Sequence, residues 1–358
     1  FDGTVVADYN AVSALEQLHK VADGPADAAA QALAAGVDVE LPNARCYAEP
    51  LARRVRSGAV DEKLVDRALE RVLRQKCALG LLDPSWRPEP QVLASGGADP
   101  LDLDPPANRT LARKLAEESV VLLANDSGVL PLSSPGRVAV LGPLADDPLA
   151  LQGCYSFESN VGLSYPDWEP GIDVPTVLQG LAAELGATSL AHVGGCSVQE
   201  LDRSGIPAAV TAAREADLCV VVLGDRSGLF GRGSSGEGSD AADLRLPGVQ
   251  QELLEAVLKT GVPVVLVMLS GRPYALGGPA ENAAAMVQTF FPGEEGAAAI
   301  ARVLTGRVNP SGRLPVSVPR DAGGQPGTYL SPPLGQATVE SCLAVSYTHL
   351  TLPTNSLV

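Results

Sequence analysis

Six short apolar runs set the rhythm of the chain from residue 137 onward: RVAVLG (137–142), SLAHV (189–193), LCVVVLG (218–224), VPVVLVML (262–269), AMVQTFF (285–291) and RLPVSVP (313–319). Runs of this length read as strands, and those that are apolar throughout read as strands buried on both faces. Helical stretches lie between them, near 175–185, 206–216, 248–260 and 294–305. Gly186 and Gly261 follow two of these stretches, where a left-handed residue commonly ends a helix. Apolar strands alternating with amphipathic helices predict an α/β/α sandwich with a mostly parallel sheet of about five or six strands.

The first eighty residues follow a different pattern. TVVA (4–7) is a short strand signal ended by Asp8, and helical patterns follow over 11–22 and over the Ala-rich stretch 26–35. GVDVELP (36–42) predicts a second strand. Val60, Leu64, Val65, Ala68, Leu69, Val72 and Leu73 form the apolar stripe of a helix over 60–79, with Asp61 as its N-cap and Gly80 closing it. Residues 84–106 are rich in Pro, Gly and Asp and predict a linker, after which a helix resumes over 108–119. The expected organisation is therefore an incomplete domain over 1–83, a linker over 84–106, the sandwich over 107–320 and an extended segment over 321–336. From Ala337 onward the pattern stops, and 337–358 reads as a non-native or disordered tail. Under a hundred residues are too few for a closed barrel, so further N-terminal sequence is expected.

Composition narrows the function. Acidic residues outnumber basic ones by 42 to 26, a net charge of −16, which opposes nucleic-acid binding and adhesion to an anionic membrane. No apolar run approaches the ~18–20 residues of a membrane span. The six cysteines are scattered without C-x-x-C spacing or a histidine at metal-ligand spacing, so neither a metal nor another cofactor is called for. That usage fits a reducing compartment such as the cytoplasm. Cys219, inside LCVVVLG, reads as a core thiol. The oligomeric state is not legible.

Two carboxyl groups stand where chemistry is commonly displayed. Asp8 follows a strand, the end at which parallel α/β architectures present catalytic groups, although such an Asp also serves as an N-cap or turn residue. Glu237 lies in the Gly- and Ser-rich loop 228–250, with a glycine on either side; the alternative is a disordered surface loop. Two carboxyls flanking a glycosidic bond are the requirement of retaining glycoside hydrolysis. Gly231, Gly233 and Gly236 spell G-x-G-x-x-G, so a dinucleotide site is a rival reading. The motif stands well after its strand and well before its helix, contrary to what that mechanism needs. No G-x-S-x-G elbow occurs, and His19, His192 and His349 stand in helix, strand and tail contexts.

Six collinear stretches carry a family resemblance: FDGTVVADYNAVSALEQLH, ALAAGVDVELP, AVDEKLVDRALERVLRQKCALGLLD, RTLARKLAEESVVLLANDSGVLPL, SSGEGSDAADLRLPGVQQELLEAV and FFPGEEGAAAIARVLTGRVNPSGRLPVSVP. In this order they resemble glycoside hydrolase family 3 over residues 1–336. The resemblance implies the C-terminal remnant of a (β/α)8-type barrel followed by an α/β/α sandwich. It implies Asp8 as nucleophile, Glu237 as acid/base and Tyr9 as an aromatic lining the leaving-group subsite. The implied activity is exo-acting, retaining hydrolysis of terminal β-D-glucosyl or β-D-xylosyl residues, with a β-linked oligosaccharide or glycoside as substrate. A β-N-acetylglucosaminidase is a neighbouring reading, and a non-catalytic carbohydrate-binding protein is a rival. Ala241 stands where family members usually carry an Arg that helps to fix the acid/base loop. With most of the barrel absent, the chain alone is expected to be poorly soluble and to have little or no activity.

Overall fold

The computed structural model describes residues 1–89, 102, 104–162, 165, 167 and 171–321. The chain forms two compact units, Phe1–Leu101 and Asp102–Val358. Most of the predicted segment 321–336 and all of the tail 337–358 lie outside the described residues, as do residues 90–101 and 103 of the linker.

In the first unit, β1 (Val6–Tyr9) pairs in parallel with β2 (Val39–Leu41), and the helices α1 (Ala11–Gln17), α2 (Pro25–Ala35), α3 (Glu49–Arg56) and α4 (Glu62–Ala78) accompany them. Ala28, Ala29, Leu33, Val12 and Leu51 form its small core. Asp61 caps α4 as its sequence position predicts, accepting from the Lys63 N–H at 3.0 Å. One expectation is corrected. The first strand runs through Asp8 rather than ending before it, because pairing continues to Tyr9 opposite Leu41 and to the Asn10 N–H, which donates to Leu41 O at 2.8 Å. Two buried carboxylates brace this unit. Asp38 accepts from the Val5 N–H at 2.8 Å and pairs with Arg71 at 3.3 Å, while Glu40 accepts from the N–H groups of Cys46 and Tyr47, each at 2.8 Å.

The second unit is a three-layer sandwich. Its sheet comprises β3 (Val121–Ala124), β4 (Val138–Leu141), β5 (Leu190–Val193), β6 (Leu218–Gly224), β7 (Val264–Leu269) and β8 (Ala285–Gln288), in the order β3-β8-β7-β6-β4-β5. All neighbours are parallel except β3 against β8. Because side chains alternate across a strand, each central strand feeds two cores. Val138, Val140, Val220, Val222, Val265 and Val267 enter one; Ala139, Leu141, Val221, Leu223, Leu266 and Met268 enter the other. The first core is covered by α6 (Val177–Leu185) and α10 (Gly296–Leu304), with α5 (Pro106–Ser119) packed on α10. The second is covered by α7 (Ile206–Arg214), α8 (Gln250–Leu258) and the short α9 (Gly277–Glu281). Full burial of each such aliphatic side chain contributes on the order of 1.5–3 kcal/mol.

Two further differences from the sequence reading have physical causes. RLPVSVP is not a strand: Pro315 and Pro319 lack the N–H that a ladder needs, and the segment instead lays Leu314 and Val318 into the core. Conversely, β3 was not separable in sequence from the helix before it, because α5 passes into β3 through Val120 alone.

Candidate functional site

The parallel strands, taken by their order along the chain, lie 2-1-3-4-5 across the sheet (β5-β4-β6-β7-β8). Chain order reverses between β4 and β6, and the helices that follow these two strands, α6 and α8, cover opposite faces of the sheet. In open α/β sheets that switch point is where ligands bind. The loop after β6 carries Glu237, and the long segment after β4 carries Tyr155.

These two loops meet. The Tyr155 O–H donates to Glu237 Oε2. The contact continues beneath, where a side chain at Gly236 would approach Cys154 Cβ to 2.8 Å and Gly228 O to 2.2 Å. Gly236 also has φ +112, so only glycine fits that backbone without strain. Glu237 itself is exposed, as are Tyr155 and Phe230, at 70% and 71%. A solvent-facing carboxyl with an O–H donor and exposed rings nearby is equipped to exchange protons with a bound ligand and to stack against it.

The loop is not the loose segment that its composition permits. The Gly228 N–H donates to Ser235 O at 2.9 Å, the Ser234 N–H to Arg226 O at 2.9 Å and the Gly231 N–H to Glu237 O at 3.2 Å. At its base sits Asp225, 0% exposed, which accepts from Ser234 Oγ at 2.8 Å, from the Gly271 N–H at 3.1 Å and from the Tyr274 O–H. Burial, with the Asp225 charge beside it, pushes the Tyr274 phenol above its usual range. Arg272, 3.7 Å from Asp225, donates at 2.6 Å to Ser234 O and at 2.6 Å to Ser239 O. Arg226 pairs with Asp147 of the facing loop at 3.4 Å.

Behind the loop lies a cavity of about 640 Å³, lined among others by Ala241, Asp243, Arg245, Glu252, Arg272 and Tyr274. Glu237 is not among its lining residues, so this cavity is not where Glu237 would work. The three glycines of the G-x-G-x-x-G pattern open no helix: β6 ends at Gly224 and the next helix begins at Gln250. A phosphate cradle at a helix N-terminus is therefore not formed by them.

Asp8 and Tyr9 are neighbours in β1 of the first unit. Both are exposed, Tyr9 at 68%, and Asp8 Oδ1 accepts from the Tyr9 N–H at 2.7 Å. The first unit thus brings Asp8 and Tyr9 together, and the second presents Glu237. Sequence reasoning missed Tyr155, Asp225 and Arg272. For the last two a signal existed, since Asp225 directly follows β6 and Arg272 stands three residues past the end of β7, where α/β proteins gather functional groups. Tyr155 lies fourteen residues past β4 and carries no such signal.

Comparison with known proteins finds similarity over both units. The domain described as "Glycosyl hydrolase family 3 C-terminal domain" matches residues 120–348, and "Glycosyl hydrolase family 3 N terminal domain" matches residues 1–75. A β-xylosidase of Formosa agariphila is 34% identical over 342 residues, covering 93% of this chain and 45% of that protein. A periplasmic β-glucosidase of Salmonella typhimurium is 34% identical over 352 residues, covering 92% of this chain and 43% of that protein. The crystal structure of a β-glucosidase from Listeria innocua in complex with glucose superposes with a TM-score of 0.78 at 30% identity, over 96% of this chain and 43% of that one. The chain spans less than half the length of these relatives.

Proposed function

Since the chain belongs to glycosyl hydrolase family 3, we propose that it forms the end of the barrel and the following sandwich of an exo-acting, retaining β-glycosidase. Asp8 is the nucleophile and Glu237 the acid/base. The Asp8 carboxylate attacks the anomeric carbon, and the bond to the leaving oxygen breaks as Glu237 gives that oxygen its proton. The sugar is then held as an ester on Asp8. Glu237, now a carboxylate, takes a proton from water; the water attacks the same carbon and Asp8 departs, leaving the original configuration. Tyr9, exposed beside Asp8, offers a ring face to the sugar in the leaving-group subsite.

The observation that supports this reading most is Glu237 on a tied loop beside the switch point of the sheet, with the Tyr155 phenol on its carboxylate. The proposed substrates are terminal β-D-glucosyl or β-D-xylosyl residues of an oligosaccharide or glycoside, a reading supported by the β-xylosidases and β-glucosidases among the similar proteins. The 358-residue chain alone is expected to hydrolyse such substrates weakly or not at all, because the described residues of its first unit supply two parallel strands where a barrel of this type needs eight.

The acid/base assignment is tested with Glu237→Ala in the whole glycosidase. Substrates with a poor leaving group should slow by about 10²–10⁴-fold, the usual contribution of a general acid. A 2,4-dinitrophenyl glycoside, which needs no proton, should form its glycosyl–enzyme at close to the parent rate, and added azide should be captured as the β-glycosyl azide. Equal slowing on both substrates without azide capture would refute the role of Glu237.

A further inference from the structure

Glu237 rides on an arch whose two ends are held by one side chain. Arg272 Nη1 donates to Ser234 O and Nη2 to Ser239 O, each at 2.6 Å, so a single guanidinium brackets the segment 235–238. From this geometry, and resting on the reading of Glu237 as the acid/base, we infer that Arg272 is a positioning residue. It fixes Glu237 by closing the arch beneath it, with Asp225 as its buried counter-charge.

Several independent features converge on Arg272. Its side chain is 19% exposed and that of Asp225 is 0% exposed, with 3.7 Å between the charged groups. Asp225 is itself fixed by Ser234 Oγ, the Gly271 N–H and the Tyr274 O–H, so the counter-charge cannot drift. The Tyr274 ring lies 5.9 Å from the guanidinium carbon and its oxygen accepts from Arg272 Nη1 at 3.2 Å. The two carbonyls lie on opposite sides of Glu237 along the chain, and a planar fork can serve both at once. A lysine ammonium, a single point on a flexible stem, cannot hold two such acceptors with the same geometry. Arg245, the other arginine on the adjoining cavity, is taken up by Asp243 at 2.6 Å. The arch is therefore tied from the end of β7, a rigid central strand, and needs no cation of its own at position 241, where Ala stands.

The Tyr155–Glu237 hydrogen bond supplies a readout that a merely structural arginine would not move. The full chain is prepared with 3-fluorotyrosine at position 155, and its ¹⁹F resonance is recorded for the parent, for Glu237→Ala and for Arg272→Lys. The Glu237→Ala position marks loss of the carboxylate partner. Arg272→Lys retains a cation for Asp225 and should still shift the resonance at least halfway toward that mark, while amides of β6 and β7 keep their protection from hydrogen exchange. Where the lysine variant does not fold, Arg272→Met combined with Asp225→Asn removes both buried charges together and should give the same shift. A resonance that stays at the parent position in a folded variant overturns the inference. In the whole glycosidase, Arg272→Lys should slow poor leaving groups at least tenfold more than 2,4-dinitrophenyl substrates; uniform slowing also overturns it. The two readings fail separately. A moved resonance with no leaving-group effect in Glu237→Ala keeps the arch and rejects the acid/base assignment. An unmoved resonance with a clear effect in Glu237→Ala does the reverse.

Discussion

The Tyr155 phenol donates to Glu237 across 82 positions of sequence, and nothing in GCYSFE announces it. Residues of this kind are illegible in a single chain because strand order, not local pattern, makes them neighbours. Asp8 and Glu237 are different: each is singled out by a stretch that resembles the family. A hydrogen bond to a charged group contributes roughly 1.5–3 kcal/mol. Tyr155→Phe should therefore slow the whole glycosidase about ten- to a hundredfold on substrates with poor leaving groups, checked by steady-state rates across a leaving-group series. An unchanged series would remove Tyr155 from the site. The thiols give a prediction on the chain itself. Cys219 is 0% exposed, and burial pushes its thiol up to about 11, whereas Cys77 is exposed. At pH 8 Cys219 stays protonated and enclosed, so a thiol reagent should modify Cys77 at once and Cys219 only on unfolding, as peptide mapping would reveal.

Elements were legible where one local signal governed them. β6 coincides with the apolar run LCVVVLG, and α4 starts at the cap its sequence predicts, because burial and capping act within a few residues. RLPVSVP carried the apolar alternation of a strand and still failed as one, since its prolines remove the donors that alternation presupposes. The loop 228–250 is a case in which composition left order open. Its glycines suggested freedom, yet several occupy places that exclude a side chain, and Arg272 and Asp225 reach it from the ends of β6 and β7. Leu266, fully buried in the middle of β7, sets a scale for the sheet. Leu266→Ala should cost about 2–5 kcal/mol in denaturant unfolding of the second unit. Asp61→Ala, which removes the cap of α4, should cost only about 1 kcal/mol, and that in the first unit.

At the scale of the molecule, the first unit carries Asp8 and Tyr9, and the second carries Glu237 and the residues that tie its loop. The sandwich was legible in full class and approximate strand number, because a parallel sheet covered on both faces writes itself as apolar runs separated by helices. The first unit was legible chiefly by resemblance, since two strands and a few helices suffice for many folds. Its β1 leaves Val6 and Tyr9 50% and 68% exposed, the surface expected of strands that belong to a larger barrel. The proposed roles require one carboxyl ionised and the other protonated, so in the whole protein kcat/KM should follow a bell-shaped pH profile, and a flat profile from about pH 4 to 9 would contradict the pair. The central claim, retention through Asp8, is tested most directly by covalent trapping. The whole glycosidase is incubated with activated 2-deoxy-2-fluoro β-glucoside and β-xyloside, and the adduct is mapped by peptide mass spectrometry. A sugar ester on Asp8 is the expected result; an adduct on another residue, or none in an enzyme that turns over, would contradict the account.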